Sequence, residues 1–304
     1  MSSEALIKLI SEHHRPGHYS YVLLDPLAVS NDSELSLIAS LKLALGDSAM
    51  TRVVRPDLPH APGLHPVLMC LGSPGSLADA SLLALTAQAA ERDLHRRKRQ
   101  VCGWLLSEAP PTAVSAHLTA LCRLPDASGA GTFHPVYQPL RLELLAALFE
   151  RVEQGPWWPI ERWVFLTSGG SMASLKGQPQ ARRGLPAGAI RVQQDATLIE
   201  AVLAAWRTLP EFPGAREIPP FAALRASNHL DDARRLGLKA EQDILVMALH
   251  LLRLHARLHT QEAVRDRVDM AIRQQRPLAE MFAHFSDSSW HHLVATTPQP
   301  EALP

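Results

Sequence analysis

The sequence predicts an α/β N-terminal lobe, a mixed sheet with helices, followed by an all-α C-terminal lobe. Three observations carry this reading. Between Val101 and Phe149 two strand–helix units follow one another, which specifies helices layered on a sheet. From Thr167 to Ala189 apolar periodicity gives way to Ser, Gly, Gln, Pro and Arg. Beyond that stretch apolar residues recur at helical spacing. The expected division is a lobe over residues 1–167, a linker or long loop over 168–192, and a helical lobe over 193–304.

Taken in order, Glu4 to Glu12 forms an amphipathic helix on Leu6, Ile7, Leu9 and Ile10. Tyr19 to Leu24 is aromatic and aliphatic and stops at Asp25-Pro26, so it reads as a strand. A carboxylate at that end of a strand sits where α/β proteins place functional groups, but Asp is equally a turn former that bonds its own backbone. With no acidic or nucleophilic partner in view, the turn reading of Asp25 is preferred. Asp32-Ser33-Glu34 opens a helix to Leu45, its acidic residues at the positive end of the helix dipole. Met50 to Val54 and His65 to Leu71 are strands around a proline-broken loop, and Gly72-Ser73-Pro74-Gly75 matches neither phosphate-binding glycine motif. Leu77 to Gln100 reads as one long helix whose basic end, His95 to Arg99, is solvated. A nucleic-acid patch would need further basic or aromatic partners nearby.

Val101 to Ser107 is the central strand, Pro110-Pro111-Thr112 opens a helix, Thr132 to Tyr137 is a second strand and Pro139 enters a second helix. Trp157, Trp158 and Trp163 then place three of the chain's six tryptophans together. Either Trp163-Val164-Phe165 is a core strand with the Trp157-Trp158 pair over its edge, or the cluster is an interaction surface; adjacent strand residues face opposite sides, so both stay open. In the last lobe helices are expected over Ala196–Leu209, Phe221–Ala226, Asp231–Leu236 with Gly237 as cap, Ala240–His259, around Arg265 to Asp269, and over Leu278–Phe285. Pro210 to Pro220 is a proline-broken connection, and a loose tail follows Trp290.

Lys+Arg and Asp+Glu both total 30, so no net field draws the chain to nucleic acid or an acidic membrane. Cys70, Cys102 and Cys122 sit in apolar context without metal-type spacing, which fits reduced thiols in a cytoplasm. No apolar run reaches the roughly 20 residues of a membrane span, and no signal-peptide pattern is present. His13, His14 and His18 lack a carboxylate or cysteine at ligand spacing, and His255 and His259, four apart on the expected long helix, lack the Glu of a zinc-protease helix. No metal or cofactor is expected.

The ordered motifs Tyr21-Val22-Leu23-Leu24-Asp25-Pro26, Gly103-Trp104-Leu105-Leu106-Ser107 before a helix, and Tyr137-Gln138-Pro139 before Leu140-Arg141-Leu142 resemble those of the type VI secretion effector adaptors, also called Tap or TEC chaperones. Gly155-Pro156 with Trp163-Val164-Phe165 is similar to the next strand of that family, and Ala233 to Leu238 followed by Asp243 to its C-terminal helical region. The likeness runs from about Tyr19 to Leu258. Two positions depart from it: Gln138 stands where the family has Asp, and His134 where it often has Arg, so neutral hydrogen bonds are expected in place of a salt bridge.

The resemblance implies a non-catalytic cytoplasmic adaptor that binds one toxic effector, shields an apolar segment and helps load it onto the spike protein of the secretion machine. It implies no cofactor, no nucleic-acid partner and no stable membrane insertion. Asp25, Trp104, Tyr137, Trp157, Trp158 and Trp163 are the candidate partner-binding residues, on the expectation that an adaptor exposes an aromatic groove. Two alternatives compete. One is a hydrolase using Asp25 and a histidine with Cys102 or Ser107; the other is a regulatory module that binds a small molecule.

Overall fold

The computed structural model describes residues 3–28, 37–125, 131–149, 151–181, 184–209 and 218–298. The chain divides into two compact units, Met1–Gln194 and Asp195–Pro304.

In the first unit α1 (Ser3–His13) leads to β1 (Tyr19–Leu24), then α2 (Leu37–Leu45), β2 (Met50–Arg52), β3 (Val67–Gly72), α3 (Ala80–Arg92) and β4 (Val101–Ser107). The helix opening expected at Asp32-Ser33-Glu34 lies outside the described residues. After β4 come α4 (Pro111–Leu121), the short β5 (Arg123–Leu124) and β6 (Thr132–Phe133), α5 (Pro139–Ala146), β7 (Arg162–Leu166) and β8 (Met172–Lys176). The main sheet has the order β2-β3-β1-β4-β7-β8, and β5 and β6 form a separate ribbon.

Every pairing in the main sheet is antiparallel, not mixed as the strand–helix alternation suggested. The reason is topological. The strands joined through α3, β3 and β4, are each antiparallel to β1 and hence parallel to each other, but β1 lies between them in a split β-α-β arrangement.

Both faces of this sheet are covered, as its near-continuous apolar strands require. Val22, Leu24, Met69, Trp104 and Val164 pack with α1, α2 and α3 on one face. Tyr21, Leu23, Leu68, Leu105 and Trp163 pack with α4 and α5 on the other. The alternation breaks once, at Gly103. The pairing of β1 with β4 shifts register between Leu23 and Leu24, so Cys102 and Leu105 share a face although they are three residues apart. Gly103 has φ 147°, and a Cβ there would lie 2.6 Å from both Trp163 Nε1 and the Val164 carbonyl oxygen. Only glycine fits this bulge.

Three expectations fail here, the first two for local reasons and the third through tertiary pairing. The helix read to Gln100 stops at Arg92, because Asp93 turns the chain: its Oδ2 accepts the Gln100 N–H at 3.1 Å, and its carbonyl accepts that of Arg96. The basic run is therefore a turn, and buried Arg99 donates to the carbonyls of Leu166 and Thr167, each at 2.9 Å. Pro135 cannot extend a ladder, so the strand expected over Thr132–Tyr137 ends at Phe133 and passes into turns. The expected linker belongs to the first unit: Met172–Lys176 pairs along the whole of β7, and Ser168 donates through its N–H and hydroxyl to the buried Glu143 carboxylate.

The division falls within α6 (Ala189–Thr208), and the second unit continues with α7 (Ala222–Arg235), α8 (Glu241–Arg253), α9 (Glu262–Ile272), α10 (Leu278–Phe282) and α11 (Asp287–Thr296). The helical expectation holds. α7 runs unbroken through the two short helices foreseen, and Gly237 at φ 99° ends it. α8 ends at Arg253 instead of His259, and α11, with Ser286 as N-cap, continues past Trp290 to Thr296, into the tail expected to follow Trp290. Most of the connection at 210–217 and the end of the tail at 299–304 lie outside the described residues.

Candidate functional site

The three sequence motifs meet on β1: Gly103 to Ser107 pairs along it from Leu23 back to Tyr19, and Gln138 reaches Asp25 just past its C-terminal end. Asp25 is wholly buried; its Oδ1 accepts the Leu27 N–H at 3.0 Å, the turn bond expected of it, and its Oδ2 accepts Gln138 Nε2–H at 3.0 Å. Gln138 stands at the N-cap of α5 with Pro139 as the first helical residue, so the helix start aims the carboxamide at β1. An amide donor against a buried carboxylate acceptor satisfies both groups without a second charge. Beside it, Arg55 forks onto Asp57, lies 3.4 Å from the Tyr137 hydroxyl and stacks over the Phe133 ring at 5.2 Å. Burial, then the Asp25 charge, drives the Tyr137 phenol upward, so it stays protonated.

The groups that a hydrolase would recruit here are occupied. Burial foremost, with the Asp25 charge next, pushes the Cys102 thiol well up, and burial lifts Cys122 to about 12. Ser107 Oγ donates to the Pro159 carbonyl at 2.6 Å and accepts the Ala109 N–H at 3.0 Å. Among the described residues no histidine hydrogen-bonds Asp25.

Of the residues expected to form an exposed aromatic surface, five are interior. Asp25, Tyr137, Trp157 and Trp163 are 0% exposed and Trp104 is 1% exposed. Trp104 donates to Thr86 Oγ1 at 2.9 Å on one face of the sheet, while Trp163 fills the space opposite Gly103 on the other. Trp157 folds back against Gly155 and meets Phe149 edge-on with centroids 5.7 Å apart. A signal for this was present in the sequence: a strand apolar at every position, as at Val101–Leu106, is buried on both faces.

Trp158 alone of the six keeps part of its surface. It lines a pocket of about 490 Å³ with Pro156 and Pro159, Leu121 at the end of α4, Leu185, and the polar Arg123 and Gln178. Its far wall comes from the stretch expected as linker, which is held close: Gly177 N–H donates to the Glu161 carbonyl at 3.1 Å, and a Cβ at Gly177 would lie 2.1 Å from the Ile160 carbonyl oxygen. A second depression of about 600 Å³ opens on the other side of α4, towards β2, and shares Ala120 and Arg123 with the first. There α4 also covers the sheet edge: Ser115 and Thr119 hydroxyls donate to the Arg52 and Val54 carbonyls at 2.7 and 3.1 Å.

The histidines resolve differently from their spacing. His18 meets Glu108 and Glu161, carboxylates from remote elements, with all three ligand atoms within 4.8 Å. Its Nδ1 accepts the Arg15 N–H at 3.2 Å, which leaves the proton on Nε2, 3.1 Å from Glu161 Oε2. A metal on Nε2 needs the opposite tautomer, and Arg15 Nη1 lies 3.6 Å from the same carboxylate, so the ion pair here is Arg15 with Glu161 and the geometry at His18 does not favour a metal. His255 and His259 do not share a helix: α8 has ended before either.

No protein-family model, curated protein or solved structure matches this chain.

Proposed function

We propose that this chain is a non-catalytic adaptor that binds one effector of a type VI secretion machine, shields an apolar segment of it and helps load it onto the spike protein. The observation that carries the reading is the convergence of the motifs behind the resemblance. Residues 21–26, 103–107 and 137–139 lie far apart in sequence, yet β1 pairs with β4 and Gln138 closes on Asp25. They act as one structural unit around a satisfied buried charge, which suits a scaffold better than a reactive centre.

Two further features support the reading. Asp25, Cys102 and Ser107 are committed to structural bonds or kept protonated, which leaves the hydrolase alternative without a nucleophile among its named candidates. Beside Trp158 the surface has a recess of mixed apolar and polar lining able to take part of another chain. The pocket's volume also lies within the small-ligand range, which keeps the regulatory-module reading as the second one. No helix among the described residues is long and apolar enough to cross a membrane, and Cys70, Cys102 and Cys122 are free thiols.

The test is co-expression with the product of the adjacent gene, followed by affinity purification and size exclusion. A stoichiometric complex, with a partner that is insoluble on its own, is expected. Separate elution of two soluble proteins refutes the adaptor reading.

A further inference from the structure

We propose that the two depressions flanking α4 form one groove for an extended acidic segment of the bound partner, which sets a ring or aliphatic side chain against Trp158 and a carboxylate on Arg123. The proposal deepens the adaptor reading and rests on it for the identity of the protein that carries the segment.

Continuity comes first. The depressions share Ala120 and Arg123 at the C-terminal end of α4, and at Ala120, exposed and small, a chain can cross the helix. Charge is the second argument. The chain as a whole carries 30 acidic and 30 basic residues, yet among the described residues lining both depressions there is no carboxylate, while Arg52 and Arg123 are present. Arg123 is exposed and makes no ion pair among the described residues, so its fork is available to a carboxylate. Arg52 donates to the Pro62 carbonyl at 2.6 Å through one nitrogen, and its other donors are not engaged among the described residues.

The apolar contacts lie towards the two ends. Trp158, between Pro156 and Pro159, offers a rigid ring face in the first depression; Val54, 53% exposed, lies in the second. An occupant that satisfies all of these is extended, negatively charged near its middle and apolar on either side. An added strand at the β2 edge does not fit, because Ser115 and Thr119 already hold the carbonyls of Arg52, the last residue of β2, and of Val54 just beyond it.

The experiment has two arms on the full chain. In the first, a fluorescein-labelled synthetic peptide with a central Glu-Pro-Glu, a Phe on one side of it and a Leu on the other is titrated and read by anisotropy. Saturable binding is expected, weakened roughly tenfold or more by Arg123→Glu and by Trp158→Ala, and absent for the same peptide with Lys in place of Glu. Arg123 is exposed and Trp158 half-buried, so thermal melts of the two variants should stay within about 4 °C of the parent. No saturable binding, equal binding by Arg123→Glu, or equal binding of the Lys peptide overturns the proposal. So does an oligothymidine strand that binds more tightly with the same dependence on Arg123, which would assign the groove to nucleic acid. In the second arm the same variants are co-purified with the adjacent gene product. A complex that survives Arg123→Glu refutes the groove and leaves the adaptor standing; peptide binding without any complex does the reverse.

Discussion

Trp157 and Trp158 are adjacent, chemically identical and expected to fail in opposite ways. Trp157 is 0% exposed, packed against Gly155 and edge-on to Phe149, so truncation removes the burial of a whole indole and leaves a cavity. A buried Trp removes ~200 Å² of surface from water, worth ~5 kcal/mol at about 25 cal/mol per Å² as an upper bound. Measured truncations of buried Phe and Trp cluster at about 3–5 kcal/mol, so we take ~4 kcal/mol for Trp157→Ala. For a unit the size of Met1–Gln194 that lowers the melting midpoint by roughly 8–16 °C. Trp158 sits on the pocket rim with its ring partly in water, and Trp158→Ala costs about 1 kcal/mol or less. Thermal unfolding followed by far-UV circular dichroism separates the two. If Trp157→Ala melts within ~3 °C of the parent, or Trp158→Ala falls as far as Trp157→Ala, the assignment of one to the core and the other to the groove is wrong.

Gln138→Glu replaces the donor to buried Asp25 with a second carboxylate and should cost about 3 kcal/mol at neutral pH, a drop of ~1–1.5 M in the urea midpoint. Gln138→Leu should fall between it and the parent; parity of Glu with Gln would refute the bond. Gly103→Ala should cost about 3 kcal/mol or more, through positive φ and a clash with the Trp163 ring and the Val164 carbonyl; a soluble variant of unchanged midpoint would contradict the bulge geometry. In the second unit His250 packs against both Phe282 and Trp290, which also touch each other, and burial, joined by the Arg253 charge, lowers its pKa below the ordinary 6.5 against the Val246 carbonyl bond that raises it. A folded value below the unfolded one gives stability that is complete above pH 6.5 and is lost as pH falls from there towards the folded value. Near-UV circular dichroism melts should show this loss in the parent and a smaller one in His250→Gln; equal acid sensitivity of the two would refute the assignment.

How much was legible depends on how local the cause is. β1 and β4 appear at the residues their apolar runs mark, and α4 and α5 begin where Pro111 and Pro139 fix φ at a helix start. β8 was not legible, because Met-Ala-Ser-Leu-Lys has little strand character of its own and is held by the ladder along β7. The site divides in the same way. That Asp25 would bond its own turn was readable from Asp-Pro after a strand, whereas its second partner, Gln138, is 113 residues away. Likewise, the carboxylates beside His18 come from Glu108 and Glu161, which no spacing rule connects to it.

By itself the sequence determined the two-part architecture, the principal strands and helix starts, and the turn role of Asp25, since composition, period and proline or glycine chemistry act within a few residues of chain. Only the tertiary structure decided which aromatic residues face water. A tryptophan's periodicity records that it is apolar; whether it becomes core or groove depends on what packs over it, here Gly155 folded against Trp157 and Gln178, Pro179 and Leu185 beside Trp158.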